Sequence, residues 1–309
     1  MTGPTLRHEA LIYDDDEKFV AALTPFLAEG LRRREAAVAV VPGHNTDLLR
    51  RSLGAAAERV TFIDSDVWYQ RPASTIAGWK DLVGAAMERG HPSVRIVGEV
   101  AFGPGERHDS WTRYESAIND VFATVPAWVI CPYDARRLPH RVVHDALRTH
   151  PVVAPAGGDH GDLYQEPDQL LRIMEEPPPP VSGAPLVVMS LTDPPSVRRA
   201  RRAIEAIARH LGWQHAAISD LLLVVSEVAL NSLAHGGGDR RMHVWVERAA
   251  ITCEVTDDGD GPADPLVGYR PPENPCRAGA GLWIANQLSD WLAIEHRDGV
   301  TRVRFRCGR

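Results

Sequence analysis

The chain has 309 residues, enough for about two domains of ~150 residues each. Hydrophobic residues make up 44% and charged residues 24%, which is typical of a globular protein and excludes a disordered chain, a collagen-like repeat and a small disulfide scaffold. The formal net charge of -7 argues against a broad nucleic-acid-binding surface, so we expect no direct contact with nucleic acid.

The first half of the chain alternates short apolar runs with helix-like stretches. The apolar runs, predicted to be strands, cover residues 10–13, 37–41, 60–63, 94–100 and 127–131. The predicted helices cover residues 18–34, 46–53, 74–89, 111–125 and 141–149. This alternation indicates a parallel sheet with covering helices, and continuous apolar strands are expected where both faces of a sheet are buried.

A proline-rich segment marks the predicted domain boundary. Pro177 to Pro180 cannot continue a helix and favour an extended, stiff spacer. A short helix is predicted just before it, over residues 167–174. We therefore expect a first domain over residues 1–173, a linker over 174–185 and a second domain over 186–309.

The second half has a different order of elements. Predicted strands cover residues 186–191, 242–248, 251–256, 291–296 and 301–305, and predicted helices cover 196–211, 215–234 and 281–288. Tight turns at Ala249–Ala250 and Asp298–Gly299 imply antiparallel neighbours. The pattern predicts an α/β sandwich in which a mixed or antiparallel sheet carries helices on one face.

Cysteine usage and hydropathy bear on the compartment. The four cysteines form no C-x-x-C pair and show no zinc-ligand spacing, so we expect reduced thiols: Cys131, Cys253, Cys276 and Cys307. No secretory signal precedes the first domain, and no apolar run reaches the ~20 residues of a membrane span. We expect a cytoplasmic protein that makes no membrane contact.

Three short strings in the second domain combine polar residues and glycines. Glu227 and Asn231 are four apart in a predicted helix and therefore share one face, although a polar helix edge would explain them equally well. The string D-D-G-D-G at 257–261 directly follows a predicted strand, where a turn is the simpler interpretation. The string G-A-G-L at 279–282 opens a predicted helix, and its glycines would let backbone N–H groups approach a phosphate.

In this order and at this spacing, the three strings resemble the nucleotide-binding boxes of the GHKL ATPase superfamily. The resemblance covers residues 186–309 and implies a Bergerat-type fold that binds ATP with Mg²⁺. It implies that Glu227 acts as the general base or orients the nucleophile, that Asn231 is a Mg²⁺ ligand, and that Asp257 accepts a hydrogen bond from the adenine amino group. It also implies nucleotide contacts for further residues and a lid over 269–278 that contains Arg277; those contact residues are Gly259, Gly261, Gly279, Gly281 and Leu282.

Within this superfamily, the layout is similar to that of the anti-sigma-factor serine/threonine kinases. A proline-rich spacer and a strand precede the domain, where a histidine kinase would carry a helical hairpin with an acceptor histidine. The resemblance implies partners: an anti-anti-sigma protein of the STAS type, a sigma factor, or both. Two functions remain open at this point, phosphate transfer to the partner and nucleotide-dependent partner switching without transfer. The resemblance also leaves a homodimer open.

Several strings in the first domain resemble the MEDS sensory domain, a RecA-like module, over about residues 7–151. They are H-E-A-L-I-Y at 8–13, the stretch 30–41, V-G-E at 97–99, Y-E at 114–115 and C-P-Y-D at 131–134. The resemblance implies an unidentified small-molecule ligand. There is no P-loop string, so we expect no ATP hydrolysis in this domain.

Four acidic residues follow predicted strands of the first domain: Asp14, Asp64, Glu99 and Asp134. Ligands of open parallel sheets usually bind beyond the carboxyl ends of the strands, so these residues predict a polar pocket for a cation or an amine. For each of them, a cap of a helix or turn is the alternative. His140 and His144 are also four apart, but a pair on a helix surface is favoured over a metal site.

Overall fold

The computed structural model describes residues 5–103, 108–154, 163–174, 178–272 and 280–308. The chain separates into two compact units, Met1–Met174 and Glu175–Arg309. The first unit contains a parallel sheet and the second an antiparallel sheet.

The first domain contains a six-stranded sheet in which each pair of neighbouring strands is parallel. The strands are β1 (Arg7–Tyr13), β2 (Ala36–Val41), β3 (Thr61–Asp64), β4 (Val94–Gly98), β5 (Ala127–Asp134) and β6 (Val152–Ala154), in the order β3-β2-β4-β5-β1-β6. The predicted parallel sheet is confirmed. Strand β6 was not predicted, because three residues are too few to show a pattern and its place in the sheet depends on pairing with β1.

Helices connect the strands of this sheet. They are α1 (Asp16–Arg32), α2 (Gly43–Leu53), α3 (Ser65–Trp68), α4 (Pro72–Glu88), α5 (His108–Val121), α6 (His140–Thr149) and α7 (Pro167–Ile173). Helix α1 begins two residues earlier than predicted, because the Asp15 side chain caps it by accepting a hydrogen bond from the backbone N–H of Lys18. The short helix α3 and a 3-10 turn over Gly54–Arg59 were not predicted.

The second domain contains a five-stranded sheet in which neighbouring strands are antiparallel throughout the described residues. The strands are β7 (Val187–Ser190), β8 (Arg241–Glu247), β9 (Ala250–Asp257), β10 (Trp291–Arg297) and β11 (Val300–Cys307), in the order β10-β11-β9-β8-β7. The predicted turn at Ala249–Ala250 was wrong by one residue. The turn is Arg248–Ala249, and both residues have positive φ. A two-residue hairpin turn needs this conformation to match the twist of its strands.

Three helices complete the second domain: α8 (Pro194–His210), α9 (His215–His235) and α10 (Gly281–Leu288). Alternate residues of the strands share one apolar core with these helices, and Val255 and Phe305 of the sheet and Leu221 of α9 are almost fully buried in it. By length and composition, α9 alone among the described helices would pass as a membrane span. Many of its apolar residues instead lie in this core, whereas Leu223 and Leu230 are exposed.

Candidate functional sites

Asp257 lies at the carboxyl end of β9 and is 5% exposed. Its Oδ2 accepts a hydrogen bond of 2.8 Å from the Ser232 hydroxyl of α9. Its Oδ1 accepts one of 3.0 Å from the backbone N–H of Gly259. The carboxylate is thus held by the helix on one side and by the following turn on the other, and both oxygens keep further lone pairs that can accept.

The chain segments around Asp257 approach each other so closely that they need glycines. A Cβ at Gly236 would lie 2.5 Å from Cγ of Asp257 and 2.5 Å from the carbonyl oxygen of Ser232. A Cβ at Gly259 would lie 2.8 Å from Oδ1 of Asp257. Arg240 fixes the same region, because its guanidinium donates to the carbonyl oxygens of Ser232 and Gly236 at the end of α9. The glycines therefore serve close backbone packing around one buried carboxylate.

Glu227 and Asn231 lie on one face of α9, and both are partly exposed. Within the described part of the chain, neither side chain has a hydrogen bond or an ion pair with another residue. The first residue of α10 lies directly against this face, since a Cβ at Gly281 would be 2.6 Å from Oε2 of Glu227. The fold thus brings the first and third strings together, with the Glu227 carboxylate against the start of α10.

Among the described residues, no side chain caps the start of α10. Its first backbone N–H groups therefore keep the partial positive charge of a helix N-terminus, which favours an anion such as phosphate. The side chain of Leu282 is buried in the core, so only its backbone remains to meet a ligand. Gly279, Arg277 and most of the predicted lid, 273–278, lie outside the described residues.

Gly261 closes the turn after β9. Its φ is +73°, and a Cβ there would lie 2.8 Å from Cβ of His296. Thr301 of β11 donates a hydrogen bond of 3.0 Å to the carbonyl oxygen of Gly259, which fixes the turn to the sheet. Sequence reasoning missed Ser232, Arg240 and Thr301. Only Ser232 had a signal, as it follows Asn231 on the same helix.

The four strand-end acids of the first domain do not form one cluster. Asp14 is exposed and pairs with Lys18 at 2.5 Å, and Asp64 caps α3 by accepting from the backbone N–H of Asp66. Glu99 and Asp134 lie closer to one another, since the charge of Asp134 helps to raise the pKa of Glu99. Asp64 thus follows the alternative of a helix cap, and Asp14 is held in an exposed ion pair.

Glu99 lies in a polar network beyond the sheet. It accepts hydrogen bonds from Tyr13 at 3.0 Å and from Asn45 at 2.6 Å. Burial, outweighing these hydrogen bonds, raises the pKa of Glu99 to about 7. Asn45 and Asp134 also line a pocket of about 240 Å³, whose other lining residues are Asp16, Pro42, His44, Arg136 and Arg137. Arg136 pairs with both aspartates of this lining, Asp16 and Asp134, so charges of both signs line the pocket. The predicted binding of a cation or an amine stays a prediction.

His140 and His144 are both exposed on α6, and they are absent from the groups of described residues whose geometry could hold a metal ion. A different group, which includes His8 and Cys131, meets that geometry in the interior of the first domain.

Comparison with known protein families gives two matches. Residues 7–151 match the MEDS family, the "MEthanogen/methylotroph, DcmR Sensory domain". Residues 191–307 match the family described as the histidine kinase-like ATPase domain.

Curated relatives match about a third of the chain. The chain is 32% identical over 119 residues to the anti-sigma F factor of Clostridium botulinum, which covers 35% of this chain and 82% of the relative. It is 33% identical over 107 residues to the anti-sigma F factor of Clostridium novyi, covering 31% of this chain and 73% of the relative.

Two solved structures share some similarity at low sequence identity. The RsbU and RsbW domains of Rv1364c from Mycobacterium tuberculosis match at 18% identity with a TM-score of 0.31, over 41% of this chain and 33% of that chain. The SiaB–SiaC complex from Pseudomonas aeruginosa matches at 15% identity with a TM-score of 0.31, over 40% of this chain and 90% of that chain. From the family matches and the curated relatives, the chain belongs to the histidine kinase-like ATPases of the anti-sigma-factor type, with a MEDS sensory domain preceding the ATPase domain.

Proposed function

We propose that the second domain binds ATP with Mg²⁺ and transfers the γ-phosphate to a serine or threonine of an anti-anti-sigma protein of the STAS type. One observation carries the proposal: Glu227 of α9 lies against Gly281 at the start of α10, and Ser232, further along the same helix, donates a hydrogen bond to the buried Asp257. Asn231 lies between them in sequence, one helical turn after Glu227. The Asp257 carboxylate can accept from the amino group of adenine, and the start of α10 can bind the anionic triphosphate. Relatives named anti-sigma F factor support the choice of partner.

Asp257 is the proposed adenine contact. Ser232 and Gly259 hold the carboxylate in place, so it needs little reorganisation to accept a hydrogen bond from the exocyclic amino group. Asp257 is buried, so a base without the amino group would leave the carboxylate without this hydrogen bond. The lost hydrogen bond costs free energy, and such a base would be rejected. Close approach of the base is compatible with Gly259 and Gly261, which carry no side chains.

The proposed metal contact is Asn231. Its amide oxygen has no partner within the described residues and is partly exposed, so an oxygen-preferring cation such as Mg²⁺ fits the donor available there. When bound, the ion would neutralise phosphate charge, which the chain cannot do with a lysine, since Lys18 and Lys80 in the first domain are its only lysines. Backbone N–H groups of Gly281 and Leu282 would contribute the remaining positive field. Gly279 and the lid are proposed to complete the phosphate site.

Glu227 is the proposed general base. Its carboxylate has no partner within the described residues and lies beside the start of α10, where the terminal phosphate would be held. A carboxylate at that place can accept the proton of an attacking hydroxyl as the bond to phosphorus forms. Gly281 leaves the space that this carboxylate occupies, since a Cβ would collide with it.

The remaining parts of the proposal concern regulation. We infer that the MEDS domain controls the ATPase domain through a small-molecule ligand, and that the protein acts in the cytoplasm, where its partners would be found. Phosphorylation of the anti-anti-sigma protein would then allow the protein to sequester a sigma factor again.

The decisive experiment incubates the full chain with radiolabelled ATP, Mg²⁺ and candidate STAS-type proteins, and maps the labelled residue by mass spectrometry. Label on a serine or threonine of the partner supports a kinase. Nucleotide-dependent binding of the partner without any label would support the second candidate, a partner-switching protein without phosphate transfer. Absence of ATP binding would contradict both.

A further inference from the structure

Four side chains that could bind a metal meet in the interior of the first domain. His8 is on β1, Glu115 on α5, Cys131 on β5, and His150 directly follows α6. Their relative exposures are 3%, 1%, 4% and 0%. One donor atom from each lies within 4.8 Å of the other three. Such a group of polar atoms inside an apolar core needs a compensating partner.

The distances inside this cluster are those of ligands around one small ion. Nε2 of His8 lies 3.1 Å from Oε2 of Glu115 and 3.3 Å from Sγ of Cys131. Oε2 of Glu115 lies 3.5 Å from Nε2 of His150 and 3.7 Å from Sγ of Cys131. Tetrahedral zinc with bonds of about 2.0–2.3 Å separates neighbouring ligand atoms by roughly 3.3–3.7 Å. Four of the six ligand-atom separations thus lie within a few tenths of an ångström of those around zinc, and all six lie within 4.8 Å.

The outward nitrogens of both histidines are already committed as donors. Nδ1 of His8 lies 3.0 Å from Oδ1 of Asn119, whose orientation is fixed because its amide nitrogen donates to the carbonyl oxygen of Thr149 at 2.7 Å. Nδ1 of His150 lies 2.9 Å from the carbonyl oxygen of Ala146, which can only accept. Each Nδ1 therefore carries the proton, and in a neutral ring each Nε2 points its lone pair at the cluster. This is how metal-binding histidines are oriented.

Without an ion, these atoms face one another unfavourably. Two nitrogen lone pairs would point at the Glu115 carboxylate, and within the described residues Nε2 of His150 and Oε1 of Glu115 are buried and lack any hydrogen-bond partner. A divalent cation would accept both nitrogen lone pairs. Its charge would also balance that of one thiolate plus one carboxylate.

We propose that His8, Glu115, Cys131 and His150 form a closed binding site for one zinc-like divalent transition-metal ion. Two imidazoles, one thiolate and one carboxylate suit zinc in donor type and number, whereas Mg²⁺ and Ca²⁺ prefer oxygen alone. On binding, the Cys131 thiol loses its proton to solvent and the sulfur bonds to the metal. Neither the ATPase site nor the proposed kinase reaction enters this assignment.

The test uses the full chain, purified after zinc supplementation and analysed by elemental mass spectrometry. About one zinc per chain is expected. Chelator-treated protein is then titrated with Co²⁺, which should give intense visible bands of tetrahedral cobalt together with a thiolate-to-cobalt charge-transfer band. Cys131→Ser should remove the charge-transfer band and weaken zinc binding at least ten-fold. Asn119→Ala, which leaves all four ligands in place, should weaken it by about ten-fold through the orientation of His8.

Cys253→Ser is the matched control, since Cys253 is a buried free thiol of the second domain and should leave zinc content and spectrum unchanged. If the folded wild-type chain takes up neither zinc nor cobalt, the cluster is a buried histidine–carboxylate ion-pair network and the proposal is wrong. Cobalt bands without a thiolate component on the wild type would also overturn it. Circular dichroism shows whether Cys131→Ser folds. If it does not, the cobalt spectrum of the wild-type chain still tests whether a thiolate binds the metal.

Discussion

The two domains place their polar functional groups in opposite ways. In the second domain, Glu227 and Asn231 are partly exposed and lack partners in the described chain, as expected of groups that await a ligand. In the first domain, the cluster around Glu115 is closed off from solvent and its outward atoms are already bonded to Asn119 and Ala146. From this difference we expect a ligand of the second site to exchange with solvent, whereas a ligand of the first cluster would stay bound as part of the fold.

The largest expected effect tests whether the open site is catalytic. Glu227→Gln should lower the rate of phosphate transfer by about 10²–10⁴-fold, because the amide cannot take a proton from the attacking hydroxyl. ATP affinity should stay nearly unchanged, since the base acts on the nucleophile and not on the bound nucleotide. Transfer is measured with labelled ATP and partner, and affinity by calorimetry.

Glu205→Gln is the control for this variant, as Glu205 pairs with Arg209 on the surface of α8. It should transfer phosphate at the wild-type rate. A wild-type rate in Glu227→Gln would show that Glu227 is not the general base. It would also weaken the contrast between an open, catalytic site and a closed one.

The next effect concerns the buried end of the open site. Asp257→Asn should weaken ATP binding by about 10- to 100-fold, because a hydrogen bond to a charged acceptor contributes roughly 1.5–3 kcal/mol. The amide also supplies one acceptor where Ser232 and Gly259 require two. Asp258→Asn changes the neighbouring carboxylate, which accepts a hydrogen bond from the backbone N–H of Asp239, and should bind ATP nearly as the wild type does. Equal affinities of the two variants, measured by calorimetry, would refute the adenine assignment.

A third prediction tests the close packing behind Asp257. Gly236→Ala should destabilise the second domain by about 1–3 kcal/mol, because its Cβ would lie 2.5 Å from two atoms that cannot easily move. Gly84→Ala is the contrasting case, since a Cβ there meets nothing within 4 Å and helix α4 should gain about 0.5–1 kcal/mol. Urea unfolding of the two variants should show midpoint shifts of opposite sign. A destabilised Gly84→Ala with an unaffected Gly236→Ala would contradict the packing described here.

The smallest effect is a pH dependence in the first domain. The pKa of Glu99 is raised from 4.5 to about 7, so its folded state holds a proton that the unfolded state has lost at the same pH. The contribution of Glu99 to stability should therefore be fully present below about pH 4.5 and be lost as the pH rises through about 7. The groups that face Glu99 are Tyr13 and Asn45, with Asp134 and Arg137 acting through their charge.

Glu99→Gln should remove this dependence, because an amide does not titrate in that range. Denaturant midpoints of both proteins at several pH values between 4.5 and 8 measure the difference. If the difference between them stays constant over this range, Glu99 does not titrate near pH 7 and the network around it is ionised throughout.

The sequence by itself determined most of the second domain and the local part of its site. Glu227 and Asn231 share a face because four residues make one helical turn, and D-x-G-x-G follows β9 because a strand that ends in Asp and Gly can only turn. These relations lie within a few residues, so periodicity and turn chemistry predict them. The parallel sheet of the first domain was likewise predictable from alternating elements, apart from the three-residue β6.

Only the tertiary structure decided which distant residues meet. His8, Glu115, Cys131 and His150 come from four elements, and no short spacing joins them; they converge because β1 pairs with β5 and the helices α5 and α6 pack together. The same holds for Asp64, which the sequence placed at a strand end with the other acids but which the chain uses to cap α3. Local patterns specify elements, whereas long-range strand pairing and the burial it forces decide which side chains share a site.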